Sequence, residues 1–217
     1  VLPAEGVARV PAHLSDVEAS TLPCAALTAW SALFELGDVR PGQTVLLLGT
    51  GGVSLFGLQF SKLVGARAIV ISSSDEKLAR ARALGADEVL NYRSTPHWGD
   101  RVRELSGDGV DHVLEVGGAT TLPQSIRASR VGATLSLIGV LGGDTSPIAL
   151  PALFMGQRRV QGVFVGHRAG FEAMCRAISA ARLAPVVDDV VAFDDAPAAF
   201  ERMKRSEHFG KLCIRVS

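Results

Sequence analysis

Short apolar runs alternating with helical patterns mark this chain as α/β, built on a doubly wound parallel sheet. Three observations carry that reading. Residues 44–61, TVLLLGTGGVSLFGLQFS, set an apolar run before Gly49, Gly51 and Gly52 and an apolar helical pattern after them, which is strand, tight turn and helix. The same alternation continues to about residue 143, each apolar run being of strand length and each interval long enough for a helix. Right-handed crossovers then bring the ends of several strands to one edge of the sheet, where ligand crevices form in folds of this class.

The elements follow in order. Ser15, Asp16, Val17 and Glu18 have the spacing of a capping box and start a short helix that Pro23 interrupts. A second helical pattern, Leu27, Trp30, Ser31 and Phe34, runs to Gly37. The central strand and glycine turn lead into a helix that ends at Gly65, and residues 68–71 form a second buried strand. Ser74 or Asp75 caps the next helix, whose apolar side is Leu78, Ala81 and Leu84 and which Gly85 closes. Residues 88–91 are a third strand, 98–105 a helix, 111–116 a fourth strand, 122–129 a helix and 134–138 a fifth strand. Beyond Pro147 the pattern predicts a strand over 160–165, a helix over 171–181, a strand over 190–193, a helix over 196–204 begun by Asp194 or Asp195, and a last strand over 211–216.

Composition narrows the function. A chain of 217 residues, 47% hydrophobic, can bury one sizeable core. Lys and Arg balance Asp and Glu at 22 each with no basic tract, so nothing electrostatic recommends nucleic acid or an anionic membrane as partner. Cys24, Cys175 and Cys213 are odd in number and far apart, which suits reduced thiols and a cytoplasmic protein. No apolar run approaches the roughly 20 residues of a membrane span.

The glycine turn is the first candidate site. Glycines let the backbone approach a ligand closely, and the unpaired N–H groups of the new helix, from Gly51 and Gly52 to Val53, attract an anion. The dinucleotide fingerprint G-x-G-x-x-G is met except at its third glycine, where Ser54 stands. At the end of the second strand, where NAD enzymes place an acid on the ribose diol, this chain has Ser72, followed by Ser73 and Ser74 with Lys77 one turn on. Hydroxyls and an ammonium suit a 2′-phosphate, so NADP(H) is expected over NAD(H). Val116, Gly117, Gly139 and Val140 lie at strand ends where backbone groups can hold the nicotinamide ribose and carboxamide. Glu115 is expected to support the cleft, His112 to be structural, and His167 and His208 to lie near loop ends.

Together, the motifs resemble the medium-chain dehydrogenase/reductase superfamily of zinc alcohol dehydrogenases and zinc-free quinone oxidoreductases. The carrying stretches are LPCAALTAW at 22–30, VLLLGTGGVSLFGLQFSKLVGA at 45–66, SSSDEKLARARALGADEVLNYR at 72–93, VDHVLEVGG at 110–118, LIGVLGG at 137–143 and HFGKLCIRV at 208–216. The resemblance implies a Rossmann fold over 38–182, with 1–37 and 183–217 belonging to a catalytic lobe whose N-terminal GroES-like part precedes this sequence. It implies that Thr28 lies beside the nicotinamide, that Tyr92 lies near the adenosine phosphate, and that Val163, Phe164 and Val165 give backbone contacts to the carboxamide. Cys24 matches a zinc ligand of the zinc members. A small buried thiol is the simpler reading, and zinc is not expected in this segment alone. The implied function is hydride transfer between NAD(P)H and an aldehyde, ketone, alcohol, enone or quinone, with a small-molecule substrate and a homodimer formed through the strand at 160–165. No catalytic side chain is identifiable here. The alternatives are a nucleotide-binding protein of little turnover and a nucleotide-fold methyltransferase, which Ser72 disfavours.

Overall fold

The computed structural model describes residues 3–216. Six strands, β1 (Thr44–Leu48), β2 (Arg67–Ser72), β3 (Glu88–Asn91), β4 (Val110–Glu115), β5 (Ser129–Leu137) and β6 (Arg159–Gly162), form one parallel sheet in the order β3-β2-β1-β4-β5-β6. β7 (Val187–Ala192) and β8 (Lys211–Arg215) pair in parallel as a separate ribbon. The helices are α1 (Asp16–Ala19), α2 (Leu27–Trp30), α3 (Gly52–Leu63), α4 (Asp75–Ala83), α5 (Trp98–Ser106), α6 (Leu122–Ala128), α7 (Leu150–Phe154), α8 (Arg168–Ala181) and α9 (Ala196–Lys204). This is the doubly wound architecture the alternation predicts. No helix among the described residues is long and apolar enough to cross a membrane.

The apolar run of β1 has no polar alternation because both of its faces are covered. Val45 and Leu47 pack with Phe56, Phe60 and Val70 in a core that includes α2, α3 and α8, while Leu46 and Leu48 pack with Ile69, Val102 and Val113 in a second core that includes α5 and α6. Each such side chain is worth roughly 1.5–3 kcal/mol on burial. Trp30 ties α2 to α3 through rings 4.5 Å from Phe34 and 5.5 Å from Phe60. Residues on both sides of the 38–182 stretch, including Leu22, Leu33 and Phe209, share the first core.

Local signals set most boundaries. The capping box of α1 is complete, with Ser15 accepting from Glu18 N and the Glu18 carboxylate accepting from Ser15 N. Ser74, not Asp75, caps α4, and Asp75 instead accepts from the Asn91 amide at 2.8 Å.

Two details differ from the expected pattern. The short helix does end ahead of Pro23, at Ala19, but the proline opens rather than only stops a helical element: it falls in the first turn of a separate wide π-type stretch, Leu22–Ala26, where its missing N–H costs nothing. A second wide stretch, Ser31–Glu35, follows α2. The strand expected over 160–165 is Arg159–Gly162. Val163 donates one further bond to Leu137 O, after which Phe164 points into solvent at 97% exposure and Val165 takes a left-handed φ of 52°.

The close approach of α3 to the sheet centres on Gly57. A Cβ there would lie 2.7 Å from Leu47 Cδ2 and 2.8 Å from Leu114 Cδ2, both in the packed core. Gly57→Val is expected to cost about 1–3 kcal/mol in a urea-unfolding measurement; an unchanged midpoint would show that α3 can shift outward freely.

His112, on β4, shares a 3.2 Å hydrogen bond with Gln43, and its Nδ1 is buried without a partner among the described residues. Burial, opposed by Asp111 and reinforced by Arg130 and Arg159, pushes its pKa down from 6.5 to about 4. A folded-state pKa below the unfolded one means that the stability is complete above pH 6.5 and is lost as pH falls towards 4. The expected loss across that window is up to about 3 kcal/mol, and unfolding measured against pH should show a flatter profile in His112→Gln.

Candidate functional site

Because the strand order turns back at β1, the connections that leave β1 and β4 go to opposite faces, and a crevice opens between their C-terminal ends. Its volume is about 500 Å³. A larger, shallower hollow of about 750 Å³ lies between residues 4–12 and α8, lined by Arg168, Glu172 and Arg176, and has neither a glycine turn nor a strand end in its wall.

The glycine turn forms the crevice floor. Gly49 takes a φ of 76°, which a side chain would strain, and donates to Ile71 O at 2.7 Å. Gly51 caps α3 in extended conformation with no side-chain hydrogen bond at the helix start, and a Cβ at Gly51 would meet nothing within 4 Å. The start of this twelve-residue helix therefore has no side-chain cap, and the space beside Gly51 is open. Gly52 is enclosed, since a Cβ would lie 2.7 Å from the Lys211 side chain and 3.1 Å from Ala25. Ser54, in the place of the third glycine, is buried and donates to Leu48 O at 2.6 Å, so its hydroxyl ties helix to strand.

The β2 end of the crevice carries no acid in its wall. Ser72 and Ser73 line it with Tyr92 and Lys77. The Lys77 ammonium donates to Ser206 O at 2.5 Å. Burial lowers the Lys77 pKa, Asp188 works against that, and Arg80 adds to it. Ser206 and His208 reach this wall because Gly210 N–H donates to Thr50 O at 2.9 Å, pinning the segment before β8 onto the glycine turn.

The β4 side is organised by a buried carboxylate. Glu115 accepts from Gly117 N at 2.9 Å, Gly118 N at 3.0 Å and Thr121 Oγ1 at 2.5 Å, and also from Ser125 Oγ. The loop it shapes is zipped to the loop after β5, where Gly142 donates to Gly117 O at 2.6 Å and Ala119 to Gly143 O at 2.9 Å. Gly118, at φ 82°, has no room for a side chain, because a Cβ would lie 2.6 Å from Gly143 O.

Of the sequence-predicted residues, Gly49, Gly51, Gly52 and Val53 come together at the crevice with Ser72, Ser73, Lys77, Tyr92, Val116 and Gly117. The rest stand outside its wall. Ser74 is spent on capping α4. Thr28 is buried, with its hydroxyl donating to Cys24 O at 2.7 Å. Gly139 lies against Val116 O, Val140 is exposed, and Val163 is buried while Phe164 faces solvent and Val165 packs on the core. Thr50, Trp98, Thr120, Thr121, Leu141, Gly142 and Ser206 also line the crevice and were not singled out. Thr50 comes with the glycine turn itself; the reversal of strand order and the return of the C-terminal segment bring the others.

Cys24 corrects an expectation, because the thiol is exposed rather than buried. Among the described residues no group of three or more His, Cys, Asp or Glu side chains comes together, so Cys24 is not part of a three-ligand cluster there.

A family profile described as zinc-binding dehydrogenase matches residues 52–180. A zinc-type alcohol dehydrogenase-like protein of Schizosaccharomyces pombe is 42% identical, over 100% of this chain and 64% of that protein. Among solved structures, an NAD-dependent alcohol dehydrogenase superposes with a TM-score of 0.92 at 33% identity, covering 100% of this chain and 63% of that one. A 2-octenoyl-CoA carboxylase reductase solved in complex with NADP and 2-octenoyl-CoA superposes with a TM-score of 0.89 at 26% identity, covering 95% and 51%. The chain thus spans less than two thirds of each of these proteins.

Glu115→Gln places an amide donor where donors already converge. The variant is expected to lose about 1–3 kcal/mol of stability in urea unfolding; retention of the original midpoint would mean that the four contacts are not made by the carboxylate.

Proposed function

The chain belongs to the zinc-binding dehydrogenases of the medium-chain dehydrogenase/reductase superfamily, and from that premise we propose that its crevice holds a nicotinamide dinucleotide, NADP(H) in preference to NAD(H). The observation that carries the preference is the β2 end of the crevice, where Ser72 replaces the acid of NAD enzymes and Lys77 is held in the wall by Ser206. The open face at Gly51 and the uncapped start of α3 fit a pyrophosphate. Val116, Gly117 and the loop zipped to them fit the ribose and nicotinamide side.

When bound, a nicotinamide supplies hydride exchange with a carbonyl carbon or with the β carbon of an enone or quinone. The chain's own residues bind and orient. The α3 N–H groups and dipole offset phosphate charge, Lys77 adds a charge-assisted hydrogen bond, and Glu115 keeps the Gly117 loop from collapsing into the crevice.

The stretch 38–182 is the cofactor domain in this reading, and 1–37 with 183–217 belong to the substrate side. The substrate is a small molecule, and a homodimer forms across β6. That assignment draws on β6 being the edge strand of the sheet, with exposed Phe164 just beyond it.

Calorimetric titration with NADPH and NADH is the test. NADPH is expected to bind more tightly, and Lys77→Ala to weaken NADPH about tenfold, the equivalent of about 1.4 kcal/mol, while leaving NADH unchanged. Equal affinity for both would overturn the preference, and binding of neither would overturn the assignment of the crevice.

A further inference from the structure

Two basic side chains, Lys77 and His208, line the β2 end of the crevice. Lys77 is anchored on Ser206 O at 2.5 Å. The Nδ1 of His208, by contrast, is buried and has no hydrogen-bond partner among the described residues. Buried polar nitrogens are nearly always paired, and this one belongs to a residue in the wall of an open crevice.

The segment that carries His208 is fixed on both sides. Ser206, though not glycine, holds a left-handed φ of 55°. Phe209 is buried beneath the Arg80 guanidinium, which lies 4.0 Å from the ring centroid, and Gly210 is bonded to Thr50. The charged groups facing His208 are Lys77 from α4, Asp188 from β7, Arg202 from α9 and Lys211 from β8. The single carboxylate among them is already engaged, by Arg80 at 3.0 Å and Arg202 at 2.5 Å. Arg202 is paired with Asp188 and Asp189, and Glu207, next to His208 in sequence, is paired with Arg205 at 2.8 Å. Lys77 and Lys211 are thus the cations near the imidazole that carry no carboxylate ion pair among the described residues, and a dianion fits beside them.

We propose that His208 is a specificity-determining residue of the crevice, which takes up one proton from water as a 2′-phosphorylated adenosine binds and, with Lys77, pairs with that phosphate. The inference rests on the dinucleotide reading of the crevice and adds to it a preference for the phosphorylated cofactor that strengthens as pH falls. Burial first, and the Lys77 charge second, hold the empty-site imidazole below its ordinary range, so it is neutral near pH 7. A phosphate dianion offsets the charge of Lys77 and returns the imidazole to its protonated form. One proton taken up per ligand makes affinity rise about tenfold per pH unit lowered between the empty-site and occupied-site pKa values. The phosphate monoester itself takes a proton near pH ~6, which acts in the opposite sense. The decisive readout is accordingly the difference between the protein and its variant above about pH 7.

The test titrates the 217-residue chain with adenosine 2′,5′-bisphosphate and with adenosine 5′-monophosphate. Calorimetry is run at about pH 7 and about pH 8 in buffers of different ionisation heat, so that proton uptake is counted directly. The expected result is uptake with the bisphosphate and none with the monophosphate. His208→Gln should abolish the uptake and weaken the bisphosphate about five- to tenfold at pH ~7, leaving the monophosphate unchanged. Bisphosphate binding with no uptake, or with uptake unchanged in His208→Gln, overturns the inference while the dinucleotide reading stands. Binding of neither compound overturns both. A second readout needs no variant: the His208 ring resonances, followed by NMR against pH, should titrate higher with the bisphosphate than with the monophosphate, and coincident titrations would also overturn the proposal.

Discussion

The turn between β1 and α3 can offer bare backbone N–H groups to the crevice because α3 lies close enough to the sheet for Gly57 to touch Leu47 and Leu114. That closeness constrains everything around it. It fixes the direction in which the first turn of α3 points, and it leaves Ser54 within reach of Leu48 O, where a glycine would have left that carbonyl to other partners. The close packing that the fingerprint assigns to its third glycine is carried three residues later, so Ser54 bonds to the strand without holding the helix away from it.

A second constraint is a buried charge. Glu115 lies inside the protein at the end of β4, and a carboxylate there is tolerable only with its oxygens filled by donors. Two backbone N–H groups and two hydroxyls, all within ten residues of it in sequence, fill them and so dictate the path of the loop that follows. Gly118 and Gly139 then allow the two loops to lie backbone to backbone, while the space beside Gly142 is filled by the Thr120 side chain. The crevice wall on this side carries Val116, Gly117, Thr120, Thr121, Leu141 and Gly142, so backbone groups and two hydroxyl side chains share it.

The opposite wall is made by chain return. Phe209 is buried in the same core as α3, and Asp188 bridges Arg80 of α4 to Arg202 of α9. The side chains that set the electrostatics of the β2 end are thus held by contacts between stretches more than 100 residues apart in sequence.

The sequence by itself determined the α/β class, the strands β1 to β5, the helix cap at Ser15 and the glycine turn, because each depends on neighbours within a few residues: apolar period, capping hydroxyl, missing side chain; it narrowed the cap of α4 to Ser74 or Asp75, and the structure chose Ser74. It also marked Ser72 and Lys77, whose place relative to the turn follows once the strand–helix–strand unit is recognised. Only the tertiary structure decided which strand ends meet, that Thr28 spends its hydroxyl on Cys24, that Cys24 is exposed, and that β6 stops at Gly162. The placement of Ser206 and His208 beside Lys77 belongs to the same group. It depends on one hydrogen bond from Gly210 to Thr50 and on the burial of Phe209, interactions across 160 residues of chain that leave no local pattern to read.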